Sequence, residues 1–279
     1  MALPSFDRGW KDSERTKPRI CVLEIRDPDK TESDPIAWLF IERQETYQWD
    51  ERNSSLYKAS IRMSYERIRP NHSRHADSKG YFSGGYSRGF GDGPVVSLTS
   101  ESTDKGAVFL DLPGLKGHRI GTYLMNEIVT WAKQWPEASV LPVELLSGQA
   151  DVENKARRNR FYEQFGLVFD YSDPEQREGL SKSMAAHALT TVTTWGQNLR
   201  EQDVREYVGE LLYEHQQLKS ELSQREQAIK NLSDEVKRAE AHPVHWALRR
   251  VRWKMVPSLA QVAILLVLAA MVWAGFRQK

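Results

Sequence analysis

With 279 residues, the chain has room for one medium-sized domain and substantial extensions. Its 39 lysines and arginines nearly cancel 38 aspartates and glutamates, so a formal net charge of +1 provides no general attraction to nucleic acid or acidic partners. The single cysteine, Cys21, excludes an internal disulfide, makes a cysteine-based zinc site implausible and suits a reducing cytosolic setting.

Residues 1–18 are polar, mixed in charge and without the apolar core of an export signal, and are read as a flexible N-terminus. Arg19 to Arg26 is predicted as the first strand and Ile36 to Glu42 as the second. From Gln44 to Tyr65, Tyr47, Trp49, Tyr57 and Tyr65 are scattered among charges, and the pattern favours neither strand nor helix. Residues 70–94 are rich in Gly, Ser, His and Arg without apolar periodicity, which predicts a long loop or insertion. Within it Tyr81, Phe82, Tyr86 and Phe90 interleave with Arg74 and Arg88, leaving open a flexible insertion or one wall of a substrate groove. Single-stranded nucleic acid uses the same residue types, but one short loop is slender support and no nucleic-acid partner is expected. Val95 to Ser100 and Ala107 to Leu112 are predicted as an antiparallel pair joined by the polar turn Glu101 to Gly106.

The stretch from Gly106 to Tyr171 carries the chemistry. After the predicted strand Ala107 to Leu112, a glycine-bearing turn from Leu115 to Thr122 enters an apolar-periodic helix, Tyr123 to Gln134. Such a turn gathers unpaired backbone N–H groups at a helix N-terminus, where phosphate is attracted. Gly117 and Gly121 permit close backbone approach, Ile120 can anchor the turn, and the Thr122 hydroxyl is placed to reach a phosphate oxygen. A tight turn without any ligand would use the same glycines. A second β-rich run, Ser139 to Leu146, and a helix-forming run from Asn154 to Leu167 follow.

These residues, in this order, resemble the core of the GNAT acetyltransferase superfamily over about a quarter of the chain. Lys116, Arg119 and Gly121 fall on the family's pyrophosphate loop, Arg/Gln-x-x-Gly-x-Gly/Ala, with Arg119 standing where glycine is usual. Arg160-Phe161-Tyr162-Glu163-Gln164-Phe165-Gly166-Leu167 is similar to the second signature, a helix finishing in Phe/Leu-Tyr-Glu-x-x-Gly-Phe. The resemblance implies an α/β (α+β) GNAT-like mixed sheet flanked by helices over residues 19–190, with acetyl-coenzyme A as cofactor. It also implies direct acetyl transfer to an unidentified amine, and no cysteine or serine constellation for an acetyl-enzyme stands out. By that resemblance the cofactor's pyrophosphate contacts Lys116, Gly117, His118, Arg119, Ile120, Gly121 and Thr122. Its pantetheine pairs with the backbone of Leu110 and Leu112, and its arm touches Asn154 or Asn159. Tyr162 matches the general acid that protonates the departing thiolate in many relatives, a core tyrosine being the alternative. The general base is open between Asp111 and Glu144, either of which can equally be a solvated strand charge. No metal is expected.

Gly179 to Met184 is predicted as the closing strand, and residues 196–241 as a coiled coil. Val208, His215, Leu222, Ile229 and Val236 fall at a, and Val204, Leu211, Leu218, Arg225, Leu232 and Ala239 at d, predicting a homodimer or higher homo-oligomer. A single amphipathic helix packed on its own domain is the alternative. Residues 244–254 form a basic collar with Arg249, Arg250, Arg252, Lys254, Trp246 and Trp253, suited to anionic membrane lipid. Residues 255–276 carry no charge, long enough as a helix to cross a hydrocarbon core of about 30 Å. The denser Lys and Arg before that span predict a tail anchor with the catalytic domain cytoplasmic. Two function classes follow: a membrane-anchored N-acetyltransferase, or a membrane-anchored scaffold whose acetyltransferase fold is degenerate and whose coiled coil does the work.

Overall fold

A computed structural model describes residues 16–30, 32, 34–50, 55–68, 79–88, 93–102, 106, 108, 110, 112–150, 154–248 and 266–267. The chain divides into two units, Met1–Val208 and Gly209–Lys279. The first has a mixed α+β architecture with a large mixed sheet, a small second sheet and helices.

Strand β1 (Arg19–Ile25) is buried without a break from Cys21 to Ile25, as suits a strand covered on both faces. The strands β2 (Ala37–Asp50) and β3 (Ser55–Ile68) pair antiparallel in a long hairpin that includes the stretch with no legible pattern. Strand β4 (Lys79–Arg88) pairs with β3, and β5 (Pro94–Ser97) with β4. The predicted long loop is therefore corrected, because its residues 79–88 are an interior strand. Its glycines are packing devices: a methyl on Gly84 would stand 2.7 Å from Ile128 Cγ2, and one on Gly85 only 2.5 Å from the Glu101 carbonyl oxygen. Phe82 and Tyr86 are buried in the core, whereas Tyr81 is exposed beneath the Arg62 guanidinium. Phe90 and Arg74 lie outside the described residues.

Helix α1 (Ile120–Ala132) links β5 to β6 (Ser139–Val140), which lies parallel to β5, the geometry of a βαβ crossover. Leu124, Ile128, Val129, Trp131 and Ala132 on α1 are fully buried. The predicted pairing of 95–100 with 107–112 is not what β5 does. It pairs with β4 and β6, while Val108, Leu110 and Leu112 belong to no strand and Ala107, Phe109 and Asp111 lie outside the described residues.

The run Ser139 to Leu146 splits between sheets. While β6 stays in the large sheet, β7 (Glu144–Leu145) joins the small one, with β8 (Phe169–Tyr171) and β9 (Gly179–Ser181). The divergence is pinned on both sides: Leu141 N donates to the Val96 carbonyl at 2.8 Å, and Val143 N to Ser181 Oγ at 2.8 Å. Helix α2 (Lys155–Glu163) lies between β7 and β8 in the chain. The predicted closing strand likewise divides, β9 from β10 (Met184–Ala185), which pairs with β6. The final strand, β11 (Leu199–Asp203), pairs antiparallel with β1, giving the order β10-β6-β5-β4-β3-β2-β1-β11.

Strand β11 corrects two boundaries. The long helix predicted from 196 starts at Val204, and the domain predicted to end at 190 takes its edge strand from residues 199–203. Helix α3 (Val204–Ala241) follows at once, with Asp203 Oδ1 accepting from Arg205 N at 2.8 Å as an N-terminal cap. In the second unit its side chains stand exposed except for the half-buried Asp234 and Ala239. Among the described residues, no helix is long and apolar enough to cross a membrane. The predicted span 255–276 lies outside the described residues except for Leu266 and Val267, as do residues 249–254 of the collar.

Candidate functional site

Between the first turn of α1, helix α2 and the chain from Val108 to Lys116 lies a cleft of about 680 Å³. Its floor begins with an unusual backbone: Arg119, preceding α1, has φ 62 and ψ 14, the left-handed conformation. No side chain caps this end and the first turn holds no acidic residue, so its N–H groups and the positive end of the helix dipole are available to an anion. Gly117 also has a positive φ, 84°. Gly121 sits where a methyl would touch Phe161 and Leu110, at 3.4 and 3.6 Å, so the missing side chain leaves room in the cleft.

Five cations line the cleft: Lys116, Arg119, Arg157, Arg158 and Arg160. No Asp or Glu lines it among the described residues. Two of the four guanidiniums serve the fold. Arg158 Nη1 donates to the Leu146 carbonyl at 2.7 Å and Nη2 to that of Arg177 at 2.8 Å, while Nε reaches Asn159 Oδ1 at 3.1 Å. Arg119 Nη1 donates to the Thr194 carbonyl at 3.2 Å and to Asn198 Oδ1 at 3.3 Å. The charged ends of Lys116 and Arg160, exposed on the cleft, are left for a ligand.

Tyr162, on α2, borders the same cleft. Its ring packs edge-on to Phe161 and Phe169, and no described residue takes a hydrogen bond from its hydroxyl. Burial pushes its pKa up to about 12, with the Arg158 charge pulling weakly the other way. At neutral pH this phenol is a proton donor. The Thr122 hydroxyl, also on the cleft, accepts from Gln164 Nε2 at 3.3 Å, tying the two helices together.

The remaining predicted residues sort by position. Leu110, Leu112, Gly117, Ile120 and Asn154 line the cleft. Asn154 is already occupied, its amide donating to the Gln149 carbonyl at 2.8 Å and its oxygen accepting from Arg157 at 2.7 Å. Asn159 is buried off the cleft, donating to the Gln176 carbonyl at 3.0 Å. His118 is off the cleft too, its ring on the Lys116 carbonyl at 3.2 Å. Glu144 is exposed on β7, opposite Leu180, and is not part of the lining. Asp111 lies outside the described residues.

No family model, no curated protein and no solved structure matches the chain.

Some residues of the site escaped the sequence reading. Arg157 and Arg160 sit three apart on one helix, a spacing that places both on one face and was available as a signal. Phe82, read from the sequence as one wall of a possible groove, does line the cleft, although from a strand and not from a loop. Asn198, the buried partner of Arg119, has no sequence signal at all, being 79 residues away. Among the described residues, no group of three or more His, Cys, Asp or Glu is placed to hold a metal ion.

Proposed function

We propose that this chain is a GNAT-like N-acetyltransferase that binds acetyl-coenzyme A in the cleft and acetylates an unidentified amine. The observation that carries this reading is an uncapped helix N-terminus facing a cleft with five cations, no carboxylate among its described lining residues, and a protonated phenol. A polyanionic pyrophosphate fits that charge pattern. Lys116, Arg157 and Arg160 hold it against the turn Lys116 to Thr122, and the apolar wall of Leu110, Leu112, Phe82 and Phe161 takes the thinner arm.

Acetyl-coenzyme A supplies a thioester whose C–S bond breaks as the amine nitrogen bonds to the acetyl carbon. Tyr162 delivers its proton to the departing sulfur. The amine proton passes to a base, and of the two candidates the reading retains Asp111, flanked in sequence by two cleft-lining leucines, and drops Glu144. The tail belongs to the same proposal: a basic collar at 244–254 and a span at 255–276 hold the enzyme on a membrane, cytoplasmic side.

Calorimetry of the full-length chain in detergent with acetyl-coenzyme A tests this. Saturable binding that Lys116→Glu weakens is the expected result; a folded chain that binds nothing at millimolar cofactor removes the proposal. The second reading, a degenerate membrane-anchored scaffold, draws on the absence of a carboxylate from the described lining. Cofactor binding without acetyl transfer to any amine in a peptide and polyamine panel would favour it.

A further inference from the structure

Helix α3 is 38 residues long and carries an apolar stripe that no described residue covers. Val208, Leu211, Leu218, Leu222, Ile229, Leu232 and Val236 are 44 to 66% exposed. Helices owe most of their stability to packing of such a face, and from Gly209 onward this one has none within its own unit.

We infer that a second copy of this chain covers the stripe, as a parallel, in-register two-stranded coiled coil over residues 208–239. This inference is independent of the acetyltransferase reading. Three features of the stripe select that occupant. Its a positions are mainly β-branched, Val208, Ile229 and Val236, and its d positions mainly leucine, Leu211, Leu218 and Leu232, the choice that favours two parallel strands.

The polar residues of the stripe narrow the choice of register. In parallel register His215 meets the His215 of the second copy and Arg225 meets Arg225, so both interruptions are confined to two layers. The antiparallel register that sets Leu222 opposite Arg225 buries four polar side chains against leucine, a costly arrangement, and the one that sets His215 opposite Arg225 keeps two polar layers but lays Glu221 beside Glu221 and Lys219 beside Lys219 on the flanks.

Charge on the flanks supplies the third feature. Arg225 Nη2 already reaches Glu221 of its own helix at 3.4 Å. Parallel pairing brings Glu226 of the second copy, at e, beside the same guanidinium, so two arginines meet four carboxylates. Glu214 at g likewise meets Lys219 at e of the second copy. Two Glu–Glu pairs oppose this arrangement: Glu221–Glu226, which the intervening Arg225 offsets, and Glu235–Glu240, which belongs to the last heptad, where helix ends fray.

Cysteine cross-linking of the full-length chain in a Cys21→Ser background tests the arrangement, with mass from light scattering in detergent. Leu218→Cys is expected to give a disulfide-linked dimer under mild oxidation, Ser220→Cys on the outer face far less, and the mass that of two chains. A cross-link formed only in a mixture of Leu218→Cys with Ile229→Cys chains overturns the parallel register. A single-chain mass without cross-links overturns self-association, and equal yields at positions 218 and 220 overturn the assigned seam.

Discussion

Arg119 Nη1 donates to Asn198 Oδ1 at 3.3 Å, and Asn198 Nδ2 donates to the carbonyl of His118 at 3.0 Å. Asn198 is 1% exposed, so one buried amide holds both sides of the peptide that enters α1. Arg119 stands where the GNAT pattern has glycine and adopts a glycine-like φ of 62°, which costs a residue with a side chain about 1 kcal/mol. Asn198→Ala removes the clamp and leaves polar groups unpaired, and should lower the unfolding free energy by about 2 kcal/mol. Arg119→Gly keeps the turn and should change stability by less than about 1 kcal/mol. Urea unfolding of both variants checks the order; a larger loss for Arg119→Gly would show that something else holds the turn.

Lys116→Glu and Arg160→Glu should each weaken acetyl-coenzyme A binding by about 10-fold to 100-fold, since a hydrogen bond to a charged group contributes about 1.5–3 kcal/mol. Added salt should reduce affinity in the parent and less so in the variants. Lys182→Glu, at an exposed pair with Asp170 and off the cleft, serves as the control and should leave affinity unchanged.

Tyr162→Phe should lower kcat by about 100-fold to 10,000-fold with little change in cofactor affinity, because only the proton is removed and the ring still packs. Single-turnover kinetics on an accepted amine is the measurement. An unchanged rate would return Tyr162 to the core as an ordinary packing residue.

Burial raises the Cys21 thiol from its ordinary value of 9.0 to about 12, and the Glu201 carboxylate adds to the effect. A raised folded-state pKa stabilises the fold fully below the unfolded value and is lost as pH climbs through the folded one. Stability should therefore decline between about pH 9 and 12, by up to about 1.4 kcal/mol per pH unit from this group. Buried Tyr123, whose hydroxyl donates to Glu201 at 2.8 Å, is shifted the same way and steepens the decline above pH 10. Cys21→Ala should flatten the first part of that slope in thermal unfolding measured across the range. An unchanged slope would assign the decline to the tyrosines alone.

What was legible in the sequence followed the apolar period. Strand β1 and helix α1 are almost wholly apolar inside and were plain. The hairpin β2–β3 was not, because its core-facing row exchanges apolar residues for paired charges. Arg43 Nη1 donates to Glu127 of α1 at 2.6 Å and Nε to Glu45 at 2.9 Å, while the Tyr47 hydroxyl donates to the same Glu45. Such pairs satisfy burial without leaving a hydrophobic alternation to count. Strand β4 was hidden by glycines that signal turns locally but serve close packing here, and β11 by having one apolar residue, Leu199, in five. In the site, the glycine turn was visible because local spacing defines it, and Tyr162 only through the resemblance of its helix to a family signature. The clamp of Asn198 on Arg119 was not, since it exists only once the chain has crossed the sheet.

Cys21 lies in β1 between β2 and β11, 5% exposed and neutral across the physiological range. Alkylating reagents attack thiolates, so the folded chain is silent toward them, and every alkylation event counts an opening of these three strands. The protein thus carries its own stopwatch for the sheet edge: the labelling rate of its one native thiol reads how often β11 lets go.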